Sequence, residues 1–151
     1  AARLEGSKAF SKKFMLRQGI PTAQAHIFDT YPAAIRHVMA AQSIPVIKVS
    51  GLAGGKGVYV PDCFNDAETA LHEIYLSKRF GDAGRQVLIE ERLFGPELSV
   101  LALCDGEDYI LMPAAQDHKR LLDNDKGPNT GGMGAFAVVE LDPPADTSFR
   151  L

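Results

Sequence analysis

Cysteine is scarce in this chain. Only Cys63 and Cys104 are present, far apart and without C-x-x-C spacing, which excludes a zinc cluster of that type and a disulfide framework. A reducing compartment, the cytoplasm, is the expected location. No apolar run reaches the length of about 18 residues that a membrane helix requires, so no membrane partner is expected. Basic excess is also missing. With 16 Lys and Arg against 19 Asp and Glu the formal charge is -3, which gives no support to a nonspecific nucleic-acid binder and leaves only a local positive cleft to be argued from individual residues. The first residues, from Ala1 to Gly6, contain neither an initiator methionine nor a signal-like apolar stretch, and Phe149-Arg150-Leu151 has no terminator pattern, so the segment is expected to come from a longer polypeptide. Its 151 residues suffice for one substantial core or two small lobes, and an apolar fraction of 46% places it among ordinary globular chains.

What is present in abundance is glycine in one place. The stretch from Lys48 to Gly57 follows the β-branched run Ile44 to Ile47 and precedes Val58-Tyr59-Val60, giving a strand, a glycine loop and a second, antiparallel strand. Gly51, Gly54, Gly55 and Gly57 remove side chains that would keep backbone N–H groups from an anion, and Lys56 adds a positive charge inside the loop. A phosphate or polyphosphate is the natural guest. Lys48 on the strand and Lys56 on the loop are placed to hold opposite sides of a triphosphate. Neither familiar phosphate signature fits: Gly57 follows Lys56 where a Walker A loop needs Ser or Thr, and no long helix follows directly as in a dinucleotide fold. The plain alternative is a glycine-rich hairpin with two solvated lysines.

Taken in order, Leu4 to Arg17 reads as one helix with Phe10 and Phe14 a turn apart, Ser7 on their side, and Lys8, Lys12, Lys13 and Arg17 as its wet face. Gly19, followed by Ile20-Pro21, stops it. Ala25 to Phe28 is a short strand, and Tyr31 to Ala41 a helix burying Ile35, Val38 and Met39; His26 and His37 are structural or surface residues. Asp62 to Phe64 turns into a third helix capped by Asn65, with Glu68 completing a capping box and Ala67, Leu71, Ile74 and Tyr75 as its apolar stripe. Gln86 to Glu90 is the next strand. This order describes an α+β lobe, because the central strand pair leaves no room for a crossover helix.

Gly95-Pro96 is the best internal boundary. Beyond it, Leu98 to Cys104 and Tyr109 to Met112 form a hairpin around Asp105-Gly106. Two lobes are expected to meet near residues 91 to 97, with a nucleotide in the cleft. Gln116 to Arg120 reads as a polar turn after a strand, and Asp123 to Gly134 as a second glycine loop suited to another anionic substrate. Ala135 to Leu141 reads as a returning strand and Asp142 to Asp146 as a linker or loop.

Four motifs occur in a specific order: Leu4-Glu5-Gly6-Ser7-Lys8, Gly51-Leu52-Ala53-Gly54-Gly55-Lys56-Gly57, Gln116-Asp117-His118-Lys119-Arg120, and Gly127-Pro128-Asn129-Thr130-Gly131-Gly132-Met133-Gly134. In this order they resemble the phosphoribosylamine–glycine ligase (glycinamide ribonucleotide synthetase) family, over nearly the whole chain from Ala2 to about Pro144. The resemblance implies an ATP-grasp fold of two lobes clamping a nucleotide, with residues 1–19 a leading helix, 20–92 the first lobe and 93–151 the truncated start of the second. Gly54 stands where the family's loop usually has a second alanine.

The resemblance implies ATP as cofactor, with magnesium bound by a glutamate and an asparagine outside this segment and no metal ligand within it. It implies glycine and 5-phosphoribosylamine as substrates, and fusion to other purine-synthesis domains as one form of the parent. Lys48 and Lys56 are implied as the catalytic phosphate contacts, with Gly54, Gly55 and Gly57 supplying backbone donors. Glu90, Glu91 and Leu93 would form the hinge at the adenine amino edge, and Glu97 would accept the ribose hydroxyls. Asp117, His118, Lys119 and Arg120 would face substrate, with Asn129, Thr130, Gly131 and Gly132 shaping the adjoining pocket. A segment lacking its flanks is expected to be catalytically incomplete. The competing expectations are an ATP-grasp ligase for another purine intermediate and a non-catalytic nucleotide-binding module.

Overall fold

The computed structural model describes residues 2–124 and 126–137. It divides into two compact units, residues 1–94 and 95–151.

In the first unit the leading helical stretch is broken in two, α1 (Ala2–Gly6) and α2 (Lys8–Arg17), because Ser7 adopts an extended conformation and accepts the Phe10 N–H as the N-cap of α2. The single helix expected from Leu4 to Arg17 is corrected accordingly. Its buried residues are Ala9 and Lys12, whereas Phe10 and Phe14 lie partly exposed beneath the guanidinium groups of Arg3 and Arg17. Gly19 at φ 67° ends the turn after α2, a conformation that glycine adopts without steric cost.

The sheet has the order β1-β4-β2-β3, from β1 (Ala25–Phe28), β2 (Val46–Val49), β3 (Val58–Tyr59) and β4 (Val87–Glu90), and every neighbouring pair is antiparallel. Side chains alternate between its faces. Ile47, Val49, Val87 and Ile89 turn to α3 (Tyr31–Ala40) and α4 (Phe64–Tyr75), where Ala34, Val38, Ala67, Ala70, Leu71 and Ile74 complete the core. Lys48 and Glu90 turn to the opposite face, toward α2. Each fully buried Leu, Ile or Val contributes about 1.5–3 kcal/mol by leaving water.

Two helix expectations are corrected. Ala34 and Val38 form the buried stripe of α3, while Met39 is 51% exposed, because a step of one residue rotates a side chain by about 100° away from the sheet. Helix α4 starts one residue before Asn65, at Phe64, whose ring packs against the core, so the cap is Cys63 and no side chain closes a box there. Tyr75, expected on the buried stripe, is half-buried and donates its hydroxyl to the Phe28 carbonyl at 2.8 Å. A 3-10 segment, Gly81–Arg85, then leads into β4.

In the second unit β5 (Ala102–Cys104) and β6 (Tyr109–Leu111) pair as an antiparallel hairpin, and the Asp105 carboxylate accepts the N–H groups of Glu107 and Asp108 across its turn. Residues 116–120, expected as a turn, belong to β7 (Ala115–Leu122), and most of the second glycine loop belongs to β8 (Lys126–Ala137). The two pair antiparallel, with register shifts on either side of Arg120. Turn-like composition misled here because Gly127 and Gly132, at φ 82° and 126°, serve the irregular register of a strand pair and do not end it. Of the expected returning strand, residues 135–137 are the end of β8; its remaining residues and the linker at 142–146 lie outside the described residues.

Burial, and then the Asp29 charge, push the Tyr75 hydroxyl up to about 12, above its ordinary value of 10.0. A raised acid favours its neutral form in the folded chain, so Tyr75's contribution is intact below pH 10 and lost as pH rises toward 12. Urea midpoints measured from pH 9 to about 11.5 are expected to fall less steeply for Tyr75→Phe than for the unmodified chain. Tyr59, also raised by burial and by Glu73, leaves a residual slope.

Candidate functional site

The glycine loop hangs from a rigid stem. The Val49 N–H donates to the Gly57 carbonyl at 2.8 Å, and a Cβ on Gly57 would lie 2.6 Å from that of Ala53. Gly51 donates to the Ala83 carbonyl of the 3-10 segment, and a Cβ there would meet the Ala83 backbone at 2.6 Å. The tip differs. The Lys56 N–H closes on the Ala53 carbonyl at 3.1 Å around Gly54 and Gly55, at φ 57° and 76°, a turn with two left-handed central residues. Nothing lies within 4 Å of a Cβ built on Gly54, and Lys56 and Leu52 are exposed. Glycine at 54 suits this conformation.

Beneath the loop lies a charged cluster. Glu90 is 5% exposed; its Oε1 stands 3.2 Å from Lys12 Nζ and its Oε2 2.6 Å from Lys48 Nζ. Lys12, 4% exposed, also donates to Thr22 Oγ1 at 2.6 Å and to the Ala23 carbonyl at 2.8 Å. Such a charge persists in a core only when paired and hydrogen-bonded. Lys48 differs in that 31% of its side chain remains accessible, leaving protons of its ammonium free for a further acceptor. Lys8, at the first position of α2, is half-buried and near enough to Lys48 to feel its charge: burial, then Lys48, lower its pKa, against Glu5 and Glu90. Lys8 and Lys12 were both expected on a wet face, and both sit at this cluster instead. The signal available for Lys12 was its spacing of three from Ala9, on the stripe that the neighbouring phenylalanines obscured.

The N–H groups opening α2 are not free for an anion. Lys8 donates to the Ser50 carbonyl, Ala9 to Ser50 Oγ and Phe10 to Ser7 Oγ. Anion recognition here therefore falls to the lysines and the loop tip.

Past β4, the Glu91 N–H donates to the Gln24 carbonyl, and the Gln24 N–H returns to Glu91 Oε1, both within 2.9 Å. Arg92 reaches the Pro61 carbonyl at 2.9 Å, and Leu93 is exposed. The first unit thus collects Lys48, Lys56, the loop glycines, Glu90, Glu91 and Leu93. In the second unit Lys119 pairs with Glu97 and lies 3.6 Å from Asp117; the Glu97 hydrogen bond raises its pKa, holding the ammonium charged. His118 turns its ring to Phe136, and Arg120 donates to the Gly127 carbonyl at 2.6 Å. Thr130 donates to the Lys119 carbonyl and accepts the Gly132 N–H. Asn129 stands opposite Arg120 in the register, next to Thr130 and Gly131. Among the described residues no three His, Cys, Asp or Glu side chains are grouped to hold a metal ion.

The fold is that of an ATP-grasp protein, and solved structures share it. The Helicobacter pylori D-alanine–D-alanine ligase matches over 97% of this chain and 42% of its own, with TM-score 0.58 at 18% identity, a likeness of fold alone. More narrowly, the model of the family described as phosphoribosylglycinamide synthetase, ATP-grasp (A) domain, matches residues 6–149, and the chain belongs to that family. The phosphoribosylamine–glycine ligase of Thermotoga maritima superposes with TM-score 0.83 at 38% identity, over 93% of this chain and 36% of its own. A phosphoribosylamine–glycine ligase of Leptospira interrogans is 52% identical over 141 residues, covering 93% of this chain and 33% of its own length. A bifunctional purine biosynthetic protein of Pichia angusta is 48% identical over 145 residues, covering 96% and 18%. The chain therefore spans about a third of the length of such ligases and less of the bifunctional protein.

Removing the charge of Glu90 strands Lys12 in the core. Glu90→Gln is expected to cost about 3 kcal/mol in chemical denaturation, and Lys12→Met less, because Glu90 then keeps Lys48. The stem and tip of the loop differ in cause: Gly51→Ala is expected to lose about 1–3 kcal/mol by overpacking, and Gly54→Ala about 1–2 kcal/mol from its left-handed φ alone, both read from urea midpoints.

Proposed function

We propose that this chain is the nucleotide-gripping segment of a ligase that joins glycine to 5-phosphoribosylamine at the expense of ATP. The observation that carries the proposal is the accessible Lys48 ammonium, fixed by buried Glu90 at the foot of an open glycine turn that ends in Lys56. Family membership supports the substrate assignment.

In this reading Lys48, Lys8 and Lys56, with the N–H groups at Gly54, Gly55 and Gly57, hold the β- and γ-phosphates. Fixed cations and dipoles stabilise charge developing there without reorganising. The Glu90 oxygens already hold two lysines but retain lone pairs for the adenine amino group. Since the Glu91 carboxylate and N–H are both engaged with Gln24, its remaining contribution to the adenine edge is its carbonyl, beside Leu93. Glu97 takes the ribose hydroxyls. Asp117, His118, Lys119 and Arg120, with Asn129, Thr130, Gly131 and Gly132, face the phosphoribosyl substrate.

The reaction these groups serve proceeds in two steps. A glycine carboxylate oxygen takes the γ-phosphoryl group and ADP leaves; the amine of phosphoribosylamine then attacks the acyl carbon of glycyl phosphate, and phosphate departs with the former carboxylate oxygen. Activation is needed because a carboxylate has no adequate leaving group. The glycine turn, lowered over the phosphates, keeps water from the acyl phosphate. Magnesium, when bound, would neutralise phosphate charge; in this reading its glutamate and asparagine ligands lie outside this segment. The same reading places the parent protein in the cytoplasm and allows its fusion to other purine-synthesis enzymes, as in the bifunctional relative.

In the intact polypeptide carrying this chain, steady-state ADP formation is expected to require glycine for the first step and phosphoribosylamine for continued turnover. Lys48→Ala and Lys56→Ala are each expected to lower kcat/KM for ATP by about a hundredfold, and Lys119→Ala with Arg120→Ala to raise KM for phosphoribosylamine. ADP formation indifferent to glycine, or unchanged in the lysine variants, would contradict the assignment.

A further inference from the structure

Ser50 closes the strand that carries Lys48 and is 5% exposed, yet its backbone and side-chain polar groups are all engaged, with different elements. Its N–H donates to the Gln86 carbonyl at 2.9 Å, beyond the 3-10 segment. Its carbonyl accepts the Lys8 N–H at 2.8 Å, and its hydroxyl accepts the Ala9 N–H at 3.2 Å while lying 3.2 Å from Ser7 Oγ. Two consecutive N–H groups of α2 therefore end on one residue of the loop stem. That residue stands two positions from Lys48. On the other side Gly51 donates its N–H to the Ala83 carbonyl at 3.0 Å and has no room for a Cβ.

We infer that Ser50 is a positioning residue, whose carbonyl and hydroxyl hold Lys8 beside Lys48 so that both ammonium groups meet one phosphate chain. This rests on the nucleotide reading above and deepens it by naming what sets the spacing of its cations. Alanine at 50 would keep the backbone bonds but leave the N–H of Ala9, a residue 2% exposed, without its acceptor. The first turn of α2, carrying Lys8, is the part free to shift in response.

The test is steady-state kinetics of the intact polypeptide with ATP varied, combined with a double-mutant cycle. Ser50→Ala is expected to raise KM for ATP about fivefold, with kcat changed less than about twofold. In a Lys8→Ala background the same change is expected to move KM by less than about twofold, because the residue it positions is gone. Ser50→Cys keeps the volume and weakens the acceptor; it serves where Ser50→Ala does not fold, with a smaller rise that again vanishes without Lys8. Tyr75→Phe, which removes only the hydrogen bond to the Phe28 carbonyl, controls for lost stability and is expected to leave KM unchanged. An unchanged KM in the Ser50 variants, additivity with Lys8→Ala, or an equal rise in Tyr75→Phe would overturn the inference. Lys48→Ala separates the two levels: if it too leaves KM for ATP unchanged, the nucleotide reading itself fails, and if it alone raises KM, only the role of Ser50 fails.

Discussion

The carboxylate of Glu90, held in the core between the ammonium groups of Lys12 and Lys48, is the interaction on which the rest of the first unit depends. It joins β4, β2 and α2 through one side chain. An isolated charge there would be strongly disfavoured, so neither lysine nor the glutamate is free to move without leaving a partner unpaired. A buried ion pair contributes little net stability compared with well-packed apolar side chains, but it dictates geometry. Here the geometry fixed is that of Lys48, whose side chain remains 31% accessible.

Around that fixed point, order and freedom alternate over a few residues. The stem glycines, Gly51 and Gly57, are glycines because neighbouring atoms occupy the place of a side chain. Gly54, at the tip, has open space and a left-handed backbone. One residue type thus serves two physical purposes within a single loop: close approach at the stem and a permissive conformation at the tip. The tip at residues 54–56 is exposed, while the Val49–Gly57 hydrogen bond keeps its base registered with the sheet.

Much of this was legible from the amino-acid sequence. The strand, glycine turn and strand between residues 46 and 59 followed from a β-branched run, glycine chemistry and the return of β-branched residues, all local signals. The β5–β6 hairpin followed in the same way from Asp105-Gly106. Misreadings arose where a local rule met a tertiary demand. Asn65 is a better cap than Cys63 in isolation, but burial of Phe64 moved the helix start. Residues 116–122 and 126–134 have turn-like composition, yet they pair as β7 and β8, with Gly127 and Gly132 at positive φ where the register is irregular. Lys12 looked solvated because lysine usually is, and only a carboxylate arriving from a strand 78 residues later in the chain makes its burial tolerable.

Sequence alone determined the α+β character, the glycine loop with its two lysines, and the motif order that marks the family, because these are properties of neighbouring residues and of residue identity. Tertiary structure decided which cations share a site. Lys8 and Lys12 come from a helix, Lys48 from a strand and Glu90 from another strand, and no local pattern encodes their meeting. Antiparallel pairing of β2 with β4 sets Lys48 and Glu90 on one face, and the hydrogen bonds of Ser50 bring α2 onto it. Proximity of charges distant in the chain is a product of sheet register and helix docking, and it exists only once both have formed.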